Sequence, residues 1–581
     1  GAGRFTLDRA RVTAAGDLVA DDGRAVLVQL RSDRAAELVL ADVRAAIEGM
    51  PISASLVGPA QLEQAATTIV RERGHKLVLI TLGAIAAVLA AALRRIRATF
   101  AILLCLGTTY AAVLALLGTE TLWNLPIVVL AAGFACEGAL HLQRISARGW
   151  PAATVMACAL LPLVLSPYPA WRESAFAWLL SVAAAIFVLR LGLPAFHVAF
   201  GGAVSWDGRG IASRARPGLA IGIAAIALAL GVWGLVRVQY HGADRVDLPA
   251  SAVGEAQPTL LAQFFDPALV VRTDSTGKTA AEALERAAVD AKGLLALVPE
   301  QATRVDTPGS WVARTTDLHL RKTALVELQL SARLVRLRET LEAQGFRADA
   351  FGEFLRSAGG DEGMPTADAM LRGPLGPWLR RYVHEADGLA SVRAYVQLVA
   401  DPRAPLPRVK DGDGAVMPLA GPAVAARSDR DRFTTWLGIY AACQIWLGAF
   451  VVWLGTRSFA IAASAAFATL ATQAATLAGI VMFDLPFGPA VLPAWLLAGA
   501  AATVAAGRAC RAVDLQRPMF VTGLIVTSLC QVAAGLALVV SPVPLWRELG
   551  GVVMIGAVAA SVIGIVVAPG VCAMLRREKA A

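Results

Sequence analysis

The chain has 581 residues, of which 57% are hydrophobic and only 17% are charged. This composition leaves too little polar surface for a soluble multidomain protein, and it places the chain in a lipid bilayer. Most of the formal net charge of +9 comes from Lys and Arg in connections between apolar segments, so the charge does not indicate a nucleic-acid partner.

The first 76 residues predict a partial α/β domain with the order strand, strand, helix, strand, helix. Residues 24–30 alternate apolar and polar side chains, 35–47 are amphipathic, and 52–57 form a strand that closes a β-α-β unit. Gly58 and Pro59 end that strand. A helix starting at residue 61 is predicted to run directly into the bilayer.

Apolar runs of about 17 to 25 residues predict membrane helices. The chain contains eleven such runs, near 77–93, 99–117, 124–142, 152–167, 175–197, 217–238, 434–455, 458–480, 487–507, 518–541 and 549–574.

The distribution of Arg and Lys sets the orientation of these spans. One set of connections carries Arg94, Arg95, Arg97, Arg144, Arg148, Arg209, Arg214, Arg216, Arg457, Arg508, Arg511, Arg517, Arg576, Arg577 and Lys579. The other set carries only Arg172 and Arg547. By the positive-inside rule the first set is cytoplasmic, so residues 1–76 and 239–433 lie on the outer side and the C terminus lies in the cytoplasm.

The second outer segment predicts an α/β domain with a helical insert. Strands are expected at 268–272, 302–305 and 392–399, a helix at 280–297, and the insert at 318–357. No motif of a hydrolase, a phosphate loop or a metalloprotease is present, and His319 and His384 are isolated. We therefore expect no enzymatic activity and no catalytic residue.

The seven cysteines fall in predicted spans or at their cytoplasmic ends, and none has a zinc-site spacing. We predict that they serve as small buried hydrophobic residues. We expect no metal site and no cofactor.

Two repeated motifs indicate a duplicated chain. Leu163-Val-Leu-Ser-Pro-Tyr-Pro-Ala-Trp-Arg-Glu173 matches Leu538-Val-Val-Ser-Pro-Val-Pro-Leu-Trp-Arg-Glu548 at eight of eleven positions, and Leu56-Val-Gly-Pro-Ala60 matches Leu419-Ala-Gly-Pro-Ala423. The sequence thus predicts two pseudo-symmetric halves. Since only the second half opens with a helix before its outer domain, we expect the chain to lack a first membrane helix and part of its first outer domain.

The predicted organisation follows the repeat. Residues 1–76 are the first outer domain, 77–197 a five-helix bundle, 198–216 a cytoplasmic linker and 217–238 the first helix of the second half. Residues 239–433 are the second outer domain, 434–574 a second five-helix bundle and 575–581 a cytoplasmic tail.

Charged side chains are costly in lipid, so acids within spans are candidate functional residues. Glu137 and His141 lie four residues apart in the span 124–142, on one helix face, where they could take up a proton and pass it inward. The alternative is that His141 lies at the membrane surface and Glu137 is a packing residue hydrogen-bonded between helices. Aligning Leu125-Pro126 with Leu492-Pro493 places Thr503 or Val504 opposite Glu137, so the second half offers only Thr503 as a weak polar counterpart.

The two Trp-Arg-Glu bends are predicted on the outer surface. They consist of Trp171, Arg172 and Glu173, and of Trp546, Arg547 and Glu548. A Trp suits a membrane interface, and Arg with Glu can pair or cap the next helix. The bends are expected to be structural corners, or else the entrance for a substrate between bundle and outer domain.

The pattern resembles the resistance-nodulation-division (RND) superfamily. Gly133-Phe-Ala-Cys-Glu137-Gly-Ala-Leu-His-Leu142 resembles the Gly-rich Asp-Tyr motif of its mycobacterial membrane protein large (MMPL) branch, with Glu137 in place of Asp and Gly138 in place of Tyr. The insert, with Glu342-Ala-Gln-Gly-Phe346 and Pro374-Leu-Gly-Pro-Trp378, and the Trp-Arg-Glu bends resemble predicted bacterial exporters of that branch.

This resemblance implies a multi-pass α-helical protein of the bacterial inner membrane with porter-like α/β domains in the periplasm. It also implies proton-driven export of lipids or other hydrophobic molecules, with Glu137 as the matching coupling residue. The alternative is a non-pumping lipid-binding or assembly scaffold of the same fold. A homo-oligomer and a periplasmic partner both stay open.

Overall fold

The fold is presented from a computed structural model. It describes residues 11–12, 18–19, 26–27, 45, 59–118, 121–142, 150–166, 168–200, 217–238, 269–310, 312, 330–344, 367–373, 376–386, 388–399, 406–411, 414–488, 491–514 and 521–580. The chain divides into two compact units. One unit combines Gly1–Asp33 with Ala256–Ser428, and the other combines Arg34–Glu255 with Asp429–Ala581.

The second unit is a bundle of long apolar helices. In the first half these are α1 (Pro59–Leu93), α2 (Ile96–Leu117), α3 (Asn124–Leu142), α4 (Trp150–Cys158), α5 (Pro169–Phe200) and α6 (Pro217–Arg237). The second half adds α11 (Pro422–Thr456, which begins in the other unit), α12 (Phe459–Met482), α13 (Leu492–Asp514), α14 (Val521–Val539), α15 (Pro544–Val562) and α16 (Ala568–Ala580).

Over the described ranges, nine helices are long and apolar enough to cross a membrane. They fall on nine of the eleven predicted spans, which makes the chain a multi-pass helical membrane protein. The two other predicted spans fall on the shorter apolar stretches Asn124–Cys136 and Ala152–Leu165.

The predicted helix at 152–167 is interrupted, which corrects the expectation of one continuous span. Helix α4 ends at Cys158, and a 3₁₀ turn covers Leu161–Leu165. Pro162 explains the break, because proline cannot donate a backbone hydrogen bond to the carbonyl four residues earlier and its ring clashes with that carbonyl. Near the end of α4, the carbonyl of Met156 accepts from the backbone N–H of Ala159 at 3.1 Å and from the indole Nε1 of Trp178 at 2.7 Å.

The duplication is exact in the backbone at several points. Helices α1 and α11 both start at the proline of a Gly-Pro-Ala motif and both contain 35 residues. Each ends before an arginine in the left-handed conformation, Arg94 (φ 52°) or Arg457 (φ 53°), and the next helix begins two residues later.

Helix α6 shows how the membrane helices pack. Its buried residues are all small and recur every three or four positions, namely Ala220, Ala224, Ala227, Gly231 and Gly234. This face packs against α12. Small residues allow helix backbones to approach closely in a membrane, where burial of apolar side chains gives no driving force.

The first unit is an α/β domain. Strands β1 (Arg11–Val12), β2 (Leu18–Val19) and β3 (Val26–Leu27) form one small antiparallel sheet. A second sheet contains β4 (Val270–Gly277), β5 (Ala302–Asp306), β6 (Val383–Ala386) and β7 (Leu389–Leu398).

In the second sheet, β7 pairs antiparallel with β4, β5 and β6. Strands β4 and β5 are therefore parallel to each other with β7 between them. Helix α7 (Ala280–Leu295) connects β4 to β5 and packs on the sheet. This arrangement is a split β-α-β unit. The remaining helices are α8 (Leu330–Ala343), α9 (Ala367–Arg372) and the single turn α10 (Gly376–Leu379).

The predicted strands and helix of this domain are present with shifted ends, and β6 was not predicted. Helix α8 lies within the predicted insert at 318–357, whose other residues lie outside the described ranges. The helix predicted at 35–47 and the strand predicted at 52–57 fall outside them too, apart from residue 45.

Candidate functional site in the membrane bundle

Helix α3 carries both residues of the predicted proton relay. It is continuous over Asn124–Leu142, so Glu137 and His141 are one turn apart, as the spacing predicts. Their side chains lie outside the described part of the structure.

Gly133, one turn before Glu137, marks a close approach between α3 and α14. A Cβ atom at this glycine would lie 2.9 Å from the Cβ of Ala534 and 3.0 Å from the carbonyl oxygen of Cys530. No side chain fits there without moving α14. The glycine of the Gly-x-x-x-Glu pattern is therefore required by helix packing, and position 137 is the next turn on that face.

The facing segment of α14 contains Gln531, which is buried beside Gly133. Its side-chain oxygen Oε1 has no hydrogen-bond partner within the described residues. An amide in an apolar run was a signal that could have identified this residue, and it was missed.

The start of α3 is fixed by hydrogen bonds. Thr121 Oγ1 accepts from the backbone N–H of Asn124 at 3.1 Å, and Asn124 Oδ1 accepts from the backbone N–H of Thr121 at 2.7 Å. This reciprocal pair satisfies N–H groups that a helix start leaves free. Thr121 Oγ1 also donates to the carboxylate of Glu173 in the first bend.

The second bend also contacts the residues just before α3. The indole Nε1 of Trp546 donates to the carbonyl oxygen of Leu122 at 3.0 Å. Both Trp-Arg-Glu bends therefore contact the entry to α3, the helix that carries Glu137.

The two bends have matching backbones. Ser166 Oγ accepts from the N–H of Tyr168 at 3.1 Å, and Ser541 Oγ accepts from the N–H of Val543 at 3.2 Å. Trp171 and Trp546 are fully buried, so both rings pack against protein.

The two bend tryptophans are buried because each packs against residues of the other half. The Trp171 ring lies 5.5 Å from that of Tyr440 and 6.2 Å from that of Phe433, both on α11. Arg172 and Arg547 are exposed, whereas Glu173 and Glu548 are partly buried.

In the second half, Thr503 belongs to a buried polar network. Its Oγ1 lies 2.5 Å from Oγ1 of Thr469 on α12. Two glutamines lie next to this pair, and sequence reasoning missed both. Gln473 Nε2 donates to Gln444 Oε1 at 2.6 Å, and each residue is 2% exposed.

Gln444 connects four segments. Its Nε2 donates to the carbonyl of Leu496 on α13 and, at 3.4 Å, to the carbonyl of Ala159 in the break after α4. The backbone carbonyl of Gln473 accepts from the Trp495 indole at 2.9 Å. Gly499 leaves room for the two amides, because a Cβ there would lie 2.9 Å from each of them.

The corresponding place in the first half is a small cleft. It is lined by residues of α2, α3 and α5, namely Leu106, Thr109, Tyr110, Val113, Val128, Ala131, Ala132, Ala135 and Ser181. By the repeat offsets, their counterparts include Thr469, Thr472, Gln473, Thr476, Trp495, Gly499 and Gly556. Thr469 and Gln473 of the network therefore correspond in sequence to Leu106 and Tyr110, which line this cleft.

In the α/β unit, Asp306 accepts a hydrogen bond from the Tyr382 hydroxyl at 3.0 Å. Desolvation raises the pKa of Asp306, while nearby Arg304 and this hydrogen bond act to lower it. Burial and the adjacent Asp306 raise the pKa of Tyr382. Within the described residues no cluster of His, Cys, Asp and Glu could hold a metal ion, and His319 lies outside them.

No model of a known protein family matches the chain, and no curated protein matches it.

Proposed function

We propose that this chain is an RND-type transporter that exports lipid-like molecules across a bacterial inner membrane. In this proposal the proton gradient drives export through Glu137 and His141 of α3, and the α/β domains lie on the periplasmic side. Substrate would be taken up from the outer leaflet or the periplasm.

The observation that carries the proposal is the duplicated bundle in which one helix of a matched pair bears an acid. Glu137 lies on α3, and the matched helix α13 has Val504 or Thr503 there. A charged side chain inside a bilayer costs several kcal/mol, so its presence supports a functional role. Both bends contact the start of the same helix.

The second candidate is a non-pumping lipid-binding scaffold. The observation that favours it is the uncharged network around Gln444 and Gln473, because a relay of protons through both halves would need a titratable group in each.

Replacement of Glu137 by Gln tests the proposal. The purified protein is reconstituted in vesicles with a fluorescent lipid, a pH gradient is imposed, and proton uptake and lipid movement are recorded together. We expect Glu137→Gln to abolish both, because the amide cannot bind and release a proton. Mass spectrometry of lipids that co-purify with the protein would identify the substrate class.

Asp484→Asn is the matched control, because it removes an exposed acid in the turn after α12 and leaves the relay intact. It should retain gradient-driven movement of lipid. Gradient-driven transport that persists unchanged in Glu137→Gln would reject the role of Glu137. A wild-type protein that binds lipid but never moves it would favour the scaffold.

A further inference from the structure

The network around Gln444 joins helices, whereas many other buried hydroxyls of the bundle donate to a carbonyl of their own helix. Thr503 and Thr469 connect α13 to α12 through their hydroxyls, and the amides of Gln444 and Gln473 extend this connection to α11. An amide has two donors and an acceptor, and it cannot satisfy them on its own helix as a hydroxyl can.

Each residue of the network can be compared with the residue at the corresponding position of the first half. Thr503 is the counterpart of the Glu137 region, Thr469 bonds to it, and Gln473 follows Thr469 by one helical turn. Gln473 corresponds to Tyr110 and Gln444 to Thr81 in the first half. Among the described residues, the Thr81 hydroxyl donates to its own helix, at the carbonyl of Leu77.

We infer that Gln444 and Gln473 are the positioning residues of the second half. Their uncharged hydrogen bonds hold α11, α12 and α13 in one arrangement, and through Ala159 they hold the break after α4. The proton step of transport then belongs to the first half alone. This last statement rests on the proposed function, whereas the structural role of the network does not.

Within the described part of the bundle, no Asp, Glu, His or Lys lies in the helix segments 434–456, 459–482, 492–513 and 549–562 around the network. Helices α12 and α15 have no titratable residue over 459–482 and 549–562. On the other contributing helices the nearest titratable groups are Tyr440, Cys443, Arg508 and Cys158. None of these residue types ordinarily changes its charge between about pH 5 and 8.

The substitution Gln473→Glu should make this insensitive network respond to pH. A protonated carboxyl can donate to Gln444 Oε1 as the amide does, but a carboxylate would place two acceptors against each other. Above the titration of the new acid, the intact fraction should fall about tenfold for each pH unit. The difference in unfolding temperature between Gln473→Glu and wild type should therefore grow as the pH rises from 5 to 9.

Gln473→Leu should lower the unfolding temperature by the same amount at every pH, since it removes the donor permanently. Thr476→Val is the matched control. Its hydroxyl donates to Thr472 on the same helix, so this variant should behave as wild type. In vesicles, Gln473→Leu should slow gradient-driven transport about tenfold, and Gln473→Glu should add a second step to the pH profile.

The possible outcomes distinguish the role of the network from the proposed transport function. If the difference between Gln473→Glu and wild type does not change with pH, the network is not held by this bond and the inference fails. If both Gln473 variants transport lipid like wild type, the network has no part in the cycle. If wild type shows no transport while the stability differences appear as expected, the proposed function fails and the network stands as a structural device.

Discussion

At the scale of single residues, the informative side chains of the bundle are the buried polar ones that cannot form their hydrogen bonds within their own helix. Many buried Ser and Thr of the bundle donate to the carbonyl four residues earlier, as Thr81 does to Leu77 and Ser464 does to Ala460. Such hydroxyls cost little to bury. The side-chain amides of Gln444 and Gln473 cannot form all of their hydrogen bonds with their own helix, so they require partners on other helices.

Asp306 is the residue whose protonation should affect the α/β unit. Since desolvation raises its pKa above the ordinary value, folding favours the protonated acid. The stability that it contributes is complete below the unfolded pKa of about 4 and is lost as the pH rises through the folded pKa. Asp306→Asn should unfold at a higher temperature than wild type at pH 7 and at the same temperature at pH 3.5.

Thermal unfolding of the 581-residue chain in detergent, followed across this pH range, measures the effect. Tyr382→Phe is the companion variant. It removes the hydrogen bond that stabilises the Asp306 carboxylate, so the loss of stability on raising the pH should become larger. Equal pH dependence in wild type and Asp306→Asn would contradict the assignment.

At the scale of elements, the connection between the first two helices of each half has the same backbone conformation and hydrogen bond in both halves. Arg94 donates its N–H to Ala90 and Arg457 to Trp453, at 2.9 and 2.6 Å. Both arginines are left-handed, a conformation that disfavours any residue with a Cβ. The side chains differ, because the Arg457 guanidinium lies 5.5 Å from the centre of the Trp453 ring.

Glycine substitutions should separate the shared backbone from the differing side chains. Arg94→Gly should raise the free energy of unfolding by up to about 1 kcal/mol, because glycine adopts the left-handed conformation at no steric cost. Arg457→Gly should gain less, since it also loses a cation–π contact of about 0.5–1 kcal/mol. Unfolding in mixed detergent measures both, and equal gains at the two sites would show that the ring contact contributes nothing.

Much of the element order could be predicted because hydropathy and the two repeated motifs are local in sequence. The bends, the helix predicted from residue 61, which starts at Pro59, and nine membrane helices follow from such patterns. The break at Pro162 did not, because average hydropathy does not register one proline. The amide pair was missed because Gln444 and Gln473 are 29 residues apart, and only the packing of α11 on α12 brings them together.

At the scale of the whole bundle, each half contributes a helix that packs against helices of the other half. Helix α14 of the second half packs against α1 and α3 of the first, and α4 of the first packs against α13 of the second. The hydrogen bonds from Trp546 to Leu122 and from Gln444 to Ala159 cross in both directions. A half by itself would therefore expose polar groups and small-residue faces that its partner covers.

This interlocking predicts that the halves assemble without a covalent link. A chain divided between residues 200 and 217, with one tag on each part, should yield a complex in which both parts co-purify. Gly133→Leu should weaken that complex, because overpacking against Ala534 and Cys530 costs about 1–3 kcal/mol, or about 5- to 150-fold in affinity. Gly83→Leu is the control, since a Cβ at Gly83 meets no atom within 4 Å. If Gly133→Leu and Gly83→Leu co-purify equally well, the approach of α3 to α14 does not determine assembly, and the hydrogen bonds between the halves must carry it.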